Sequence, residues 1–481
     1  MTSLLLADVR PWGGDPVDVT IVDGVISDLS PAGSGTAAAE RIEGRIDGQG
    51  LLALPGFVNA HAHVDKSWWG QPWVSYGGEP TTQGRIAHER AERDKYGIPS
   101  VSGAQAVLRE FLRHGTTATR THVDVDLGVG LRGIATVREA AAALDGAVDV
   151  EIVAFPQDGV LRRPGVLDLL DQAAAEGATS IGGLDPATID RDPVGQLDAL
   201  FEIAARRGVG IDIHLHDRGD LGGFQYELIA ERTVQAGLQG KVNVSHGFAL
   251  GELPPARRAE LVDQLGAAGI SWTTVAPPTS APLPFREMRA AGVPLGLGTD
   301  GIRDLWSPYG DLLQVARGFA RLHGLRTDED LTYAVELATT YGAGFVHRAN
   351  HGLTVGARAD IVLLDAENAP DVLVRAPRRE LVIAGGQVVV RDGELRVLAA
   401  VRRSGGRWAH CRTTASSGCS GSRTCSSSAV CGRRRSCSGG SRGRRRTPTS
   451  WSRSTRRCGW RRCCSGHSRG RSRTGTTGCG C

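Results

Sequence analysis

The sequence predicts an α/β protein: a (β/α)8 TIM barrel, a small β-sandwich domain built from both ends of the chain, and a disordered C-terminal tail. Three observations predict it. Short β-rich runs alternate with Ala/Leu-rich helical patterns eight times between residues 57 and about 302, and eight βα units are the number that closes such a barrel. Strand-like alternation with turn signals recurs on both flanks, in "VTIVDGVISDLSP" before the barrel and in "ADIVLLD" and "ELVIAGGQVVVRDGEL" after it. Beyond about residue 403 the composition changes abruptly. The expected bounds are 1–55 and 350–402 for the two parts of the sandwich, 56–349 for the barrel and 403–481 for the tail.

In chain order, the eight runs are "GFVNAHAH" near 57–64, "TTATRTHVD" at 116–124, "VEIVAFPQ" at 150–157, "TSIGGLD" at 179–185, "GIDIHLH" at 210–216, "VNVSHG" at 242–247, "ISWTTVAP" at 270–277 and "PLGLGTDG" at 294–301. Gly115, Gly177, Gly208, Gly237, Gly269 and Gly292 fall between a helical pattern and the next run, where glycine supplies the left-handed residue that stops a helix. In 132–145, "RGIATVREAAAALD", Ile134, Val137 and Ala141 are spaced to face a sheet. Two strand-rich ends that flank a barrel pair most simply with each other.

All ten cysteines lie between Cys411 and Cys481, with 17 arginines and no Asp, Glu, Lys, Leu or Ile. Residues 1–410 carry 39 basic against 52 acidic side chains, a formal charge of −13, so the basicity of the whole chain belongs to its tail. Such a segment has almost no aliphatic surface to offset the entropy of ordering. It is read as the product of a GC-rich gene translated out of frame, with a basic nucleic-acid-binding tail as the alternative; the absence of paired CxxC spacing argues against a zinc-ribbon module. The acidic core is a poor partner for nucleic acid. "MTSLLLADVRPWGGD" has no basic n-region and only a short apolar run, and no stretch approaches membrane-span length, so a cytoplasmic protein is expected.

Chemistry concentrates at the ends of the runs. Side chains at i and i+2 of a strand share a face, so His61 and His63 can reach one ion. His214, His246 and Asp300 end three further runs, and the C-terminal strand ends of this fold converge on one mouth. Imidazoles with one carboxylate suit zinc or iron better than calcium or magnesium. The fourth run, "SIGGLDPATID", offers no lysine that could be carboxylated to bridge a second ion, so one divalent ion is expected. Lys66 reads as a surface or substrate-contacting residue, and Trp68, Trp69 and Trp73 as one wall of a pocket for a flat or alkylated ring.

The strand-end pattern and the split sandwich resemble the amidohydrolase superfamily. "HAHVDK…GQPW", "TRTHVDV", "VAFPQDGV", "DIHLHD", "SHG" and "GTDGIRDLWSPYG" are similar, in order, to its cytosine deaminase and N-isopropylammelide amidohydrolase branch over about residues 5–398. The resemblance implies His61, His63, His214 and Asp300 as metal ligands, His246 beside the attacking water, Gln157 as a hydrogen-bond partner of the substrate ring and Trp306 lining its pocket. Two positions depart from the branch: Asp217 stands where it has a glutamate, and Gly301 where it has an acidic residue.

The function implied is hydrolysis of a C–N bond of a small nitrogen heterocycle, as in cytosine deamination, with removal of an N-alkyl amine or opening of a cyclic amide as alternatives. A bound divalent ion supplies hydroxide at neutral pH. Asp300 would take the proton of the water, Asp217 would pass protons to the ring nitrogen and the leaving amine, and His246 would donate to the developing oxyanion. The rival of another class is an inactive scaffold that carries a nucleic-acid-binding tail. A homo-oligomer stays open.

Overall fold

The structure is a computed structural model that describes residues 3–34, 43–75, 77–302 and 307–396. The expectations for Trp306 and for the tail fall outside these residues.

Two sheets of eight strands organise the described chain. The first four strands, β1 (Ser3–Pro11), β2 (Val17–Val22), β3 (Val25–Pro31) and β4 (Gly44–Pro55), belong to the outer sheet. The barrel follows as β5 (Phe57–Ala62), β6 (Thr116–Asp124), β7 (Asp149–Phe155), β8 (Ser180–Leu184), β9 (Gly210–Leu215), β10 (Val242–His246), β11 (Ser271–Thr274) and β12 (Leu295–Leu297). The chain then returns to the outer sheet with β13 (Ile361–Leu364), β14 (Arg379–Ala384), β15 (Gln387–Arg391) and β16 (Glu394–Leu395). All eight runs expected from the sequence are strands, paired in parallel in chain order.

The two ends of the chain meet at β4, which pairs in parallel with β1 and antiparallel with β13. Val25 bridges Arg358, which brings the far edge of the outer sheet back onto the segment before β13. The curled sheet encloses its own core of Leu6, Val19, Ile26, Ile361 and Ile383, as alternation in the two flanking segments predicts. Arg348 ties this sheet to the barrel, reaching Asp360 on one side and Asp149 and the Thr117 carbonyl on the other.

The six glycines expected to stop helices all have positive φ. In the helix Arg132–Ala142, Ile134 and Val137 are buried as expected, but Ala140 takes the third core position and Ala141 is only half-buried. The barrel closes where β12 meets β5. The Asp300 N–H donates to the His61 carbonyl at 3.0 Å, and a single parallel bridge joins Ala62 to Asp300. The buried Asn59 side chain stitches the seam, donating to Thr299 Oγ1 at 2.8 Å and accepting from the Thr299 N–H at 3.1 Å. Gly298 makes the approach feasible: a Cβ there would lie 2.4 Å from His61 Cβ and 2.5 Å from its carbonyl oxygen.

Candidate metal centre

Five of the expected residues converge at the C-terminal mouth of the barrel. Ligand atoms of His61, His63 and His214 lie within 4.8 Å of one another, and so do those of His61, His246 and Asp300. Asp300 Oδ1 is 3.2 Å from His63 Nε2 and 3.9 Å from His61 Nε2. His246 and Asp300 take left-handed backbone conformations, with φ of 71° and 59°, a strain that non-glycine residues sustain where the surrounding structure holds them.

The imidazoles are prepared as lone-pair donors. His61 Nδ1 is 3.0 Å from Ser245 Oγ, and His63 Nδ1 donates to the His122 carbonyl at 3.0 Å. Both rings therefore turn Nε2 toward the centre, which is how a second layer of hydrogen bonds orients metal-binding histidines. His61 Nε2 and both ring nitrogens of His214 are buried without a hydrogen-bond partner. Buried polar atoms without partners are costly, and a divalent cation would satisfy them. The donor set fits such an ion.

Electrostatics agree. Burial, followed by the neighbouring imidazoles, holds His61 and His214 well below the usual histidine range. Burial and then His216 bring His246 down to about 3. Burial and then Lys66 bring His63 to about 4. Burial alone would raise Asp300, but His63, His246 and His61 outweigh it and keep the carboxyl well below its usual range.

Two histidines that the strand-end pattern did not single out also belong to the cluster. His122, on β6, packs 4.2 Å from the His61 ring and joins Asp212 and His214 in a third convergent group. His216 stacks on His246 at 4.5 Å and is held by Asp185, 2.9 Å from its Nδ1. The two-residue period that singled out His61 and His63 also applies to "HLH", and "TRTHVD" ends a run with a histidine.

The remaining expected residues sit around this centre. Both oxygens of Asp217 are engaged, one by the Thr188 hydroxyl and the other by Gln225 Nε2 at 2.9 Å. Gly301 donates its N–H to Asp300 Oδ1 at 2.9 Å. Gln157 donates to Glu89 at 3.3 Å and lines a pocket with Lys66, Trp68 and Ile86. Lys66 is half-buried, 3.0 Å from Asp124, with its ammonium 5.5 Å from the centre of the Phe155 ring. Phe155 in turn packs against His214, with the ring centres 4.1 Å apart. The three tryptophans do not form one wall. Trp68 lines the pocket, Trp69 packs on the main core and Trp73 is exposed.

Helix α1 (Thr82–Glu92) covers the pocket from the loop after β5, capped by the Thr81 side chain. Arg90 pairs with Asp158, and Arg93 makes two bonds to Asp126, at 2.6 and 2.9 Å. Burial would raise the Asp126 carboxyl, but Arg93 and the N–H groups of Val129 and Gly128 outweigh it and lower it. A depressed folded-state pKa stabilises above the ordinary carboxylate range and ceases to do so as pH falls through the depressed value. Arg93→Ala is therefore expected to speed hydrogen exchange in α1 about tenfold at neutral pH, with the difference from wild type shrinking toward strongly acidic pH. Equal rates at neutral pH would show that other contacts hold the helix.

Comparison with known proteins agrees with this architecture. A family model described as amidohydrolase family matches residues 100–390. The N-isopropylammelide isopropyl amidohydrolase of Pseudomonas sp. (strain ADP) is 30% identical over 358 residues, 73% of this chain and 89% of that protein. The crystal structure of N-isopropylammelide isopropylaminohydrolase from Burkholderia multivorans superposes with a TM-score of 0.77 at 40% identity, covering 82% of this chain and 100% of that one. That of 5-methylcytosine deaminase from Klebsiella pneumoniae, liganded with 5-fluorocytosine, gives 0.69 at 25% identity, covering 82% and 99%. The chain belongs to the amidohydrolase family and is a hydrolase of non-peptide C–N bonds.

Proposed function

We propose that this chain is a mononuclear metal-dependent hydrolase that cleaves the exocyclic C–N bond of a small nitrogen heterocycle, leaving an oxo group on the ring and releasing an amine. The observation that carries the reading is the set of buried, partnerless nitrogens on His61 and His214 beside His63 and Asp300. These four would hold the ion, zinc or ferrous iron. When bound, it ionises water near neutral pH.

The protein's own groups do the rest. Asp300, kept ionised by its imidazole neighbours, accepts the proton of the attacking water. His246 offers a ring N–H to the oxygen that gains charge. Protons for the ring nitrogen and the leaving amine come from the end of β9, which Asp217 and His216 follow; both oxygens of Asp217 are already hydrogen-bonded, and His216, stacked on His246, supplies them. Gln157 and Lys66 fix the ring through its polar edge, beneath the cover of α1.

Release of an alkylamine is favoured over release of ammonia by the 40% identity to the isopropylaminohydrolase, against 25% to the methylcytosine deaminase. The test is metal content followed by product analysis on N-alkylated and free aminotriazines and aminopyrimidines. About one ion per barrel with alkylamine release supports the reading, and ammonia as the sole product moves it to the deaminases. A protein that stays metal-free after reconstitution with zinc and with ferrous iron refutes it. Residues 1–410 contain no cysteine, so alkylating the thiols removes competing tail ligands without touching the barrel.

A further inference from the structure

Beneath the metal centre, the barrel interior holds a hydrogen-bonded network that reaches His61 from the side away from the mouth. Asp212 on β9 and Ser245 on β10 are both completely buried. Ser245 donates to Asp212 Oδ1 at 2.6 Å. Asn243 donates to Asp212 Oδ2 at 3.0 Å and to Thr273 Oγ1 at 3.1 Å. The Ser271 hydroxyl fixes that amide by donating to Asn243 Oδ1 at 3.0 Å. Arg120 places a guanidinium nitrogen 3.3 Å from Asp212 Oδ2.

The direction of the protons around Ser245 follows. A carboxylate only accepts. Asp212 Oδ2 is faced by two donors, Asn243 and Arg120, and its Oδ1 lies 2.6 Å from Ser245 Oγ, so the single hydroxyl proton of Ser245 points at it. Thr273 Oγ1, 2.9 Å from Ser245 Oγ, accepts from Asn243 and gives its own proton to Ser245. Ser245 Oγ can therefore only accept from His61 Nδ1, 3.0 Å away, and the proton of His61 must sit on Nδ1. Its Nε2 is left as a lone pair aimed at Asp300 and the other histidines.

We propose that Ser245 and Asp212 are positioning residues that lock His61 in the tautomer needed to hold the ion, an inference that rests on the metal-dependent reading above. His122, Asp212 and His214 also converge, but the Asp212 oxygens are already taken by Ser245, Asn243 and Arg120. Asp212 is thus a support for the ligand shell and not a ligand to a second ion.

The test uses the full chain with its thiols alkylated. Zinc affinity is measured by chelator competition, and the cobalt-substituted protein is followed by its visible absorption. Ser245→Ala is expected to weaken zinc roughly 10- to 100-fold and to shift the cobalt bands, while the metal-free protein still unfolds cooperatively, at a lower midpoint. Asp212→Asn should weaken it further, because an amide N–H facing Ser245 turns the serine proton onto His61 and drives the histidine proton to Nε2. Should Asp212→Asn fail to fold, Ser245→Ala decides alone. Zinc affinity and cobalt spectrum indistinguishable from wild type in Ser245→Ala overturn the positioning role while leaving the hydrolase reading intact. Two ions per alkylated chain overturn it by making Asp212 a ligand. A wild-type chain that takes up no ion removes the reading on which it rests.

Discussion

Asp300→Asn is expected to lower kcat about 10⁴-fold, the upper range for loss of a positioned acid–base group, with a smaller change in KM. The substitution keeps the shape of the side chain and its place at the seam, where the backbone N–H of residue 300 bonds to the His61 carbonyl. It removes the negative charge that stands 3.2 Å from His63 Nε2 and the only carboxylate among the four proposed ligands. Two losses therefore combine: the ion is held by neutral groups alone, and no anionic oxygen remains to take the proton of the attacking water. Measuring kcat on the variant after saturating it with zinc separates them. If the zinc-saturated variant turns over within about tenfold of wild type, too little for a general base, Asp300 does not accept the proton.

Gly298→Ala is expected to cost about 3 kcal/mol or more, at the high end of what overpacking does, and to lower metal content as well. The added methyl meets the Cβ, backbone nitrogen and carbonyl of His61, all within 2.7 Å, so β12 must withdraw from β5. That withdrawal opens the seam and moves the first proposed ligand. Gly292→Ala is the matched control. It has a left-handed φ of +76° but nothing within 4 Å of a Cβ, and should cost only the left-handed penalty of about 1–2 kcal/mol. Urea unfolding of the two variants checks the difference. Equal losses would show that the seam tolerates the methyl and that proximity to His61 is not what requires glycine.

Much of the site is legible in the amino-acid sequence. His61, His63, His214, His246 and Asp300 stand at the ends of runs whose two-residue period is visible locally, and the fold brings strand ends together. His122 and His216 obey the same period and are legible in principle. Lys66 is not: whether a lysine just after a strand is solvated or drawn into an ion pair depends on Asp124, Glu89 and Phe155, which come from other parts of the chain.

The sequence by itself determined the eight strands, the positions of the helix stops, the pairing of the two chain ends and which strand ends carry metal-type side chains. These follow from backbone periodicity and from glycine's access to positive φ, properties of a few consecutive residues. The tertiary structure alone decided the seam between Gly298 and His61, the approach of Ser245 to His61 Nδ1 from 184 residues away, the stapling of α1 over the pocket, and the dispersal of the three tryptophans. Each of these depends on closure of the barrel, which sets distances between residues that no local pattern relates.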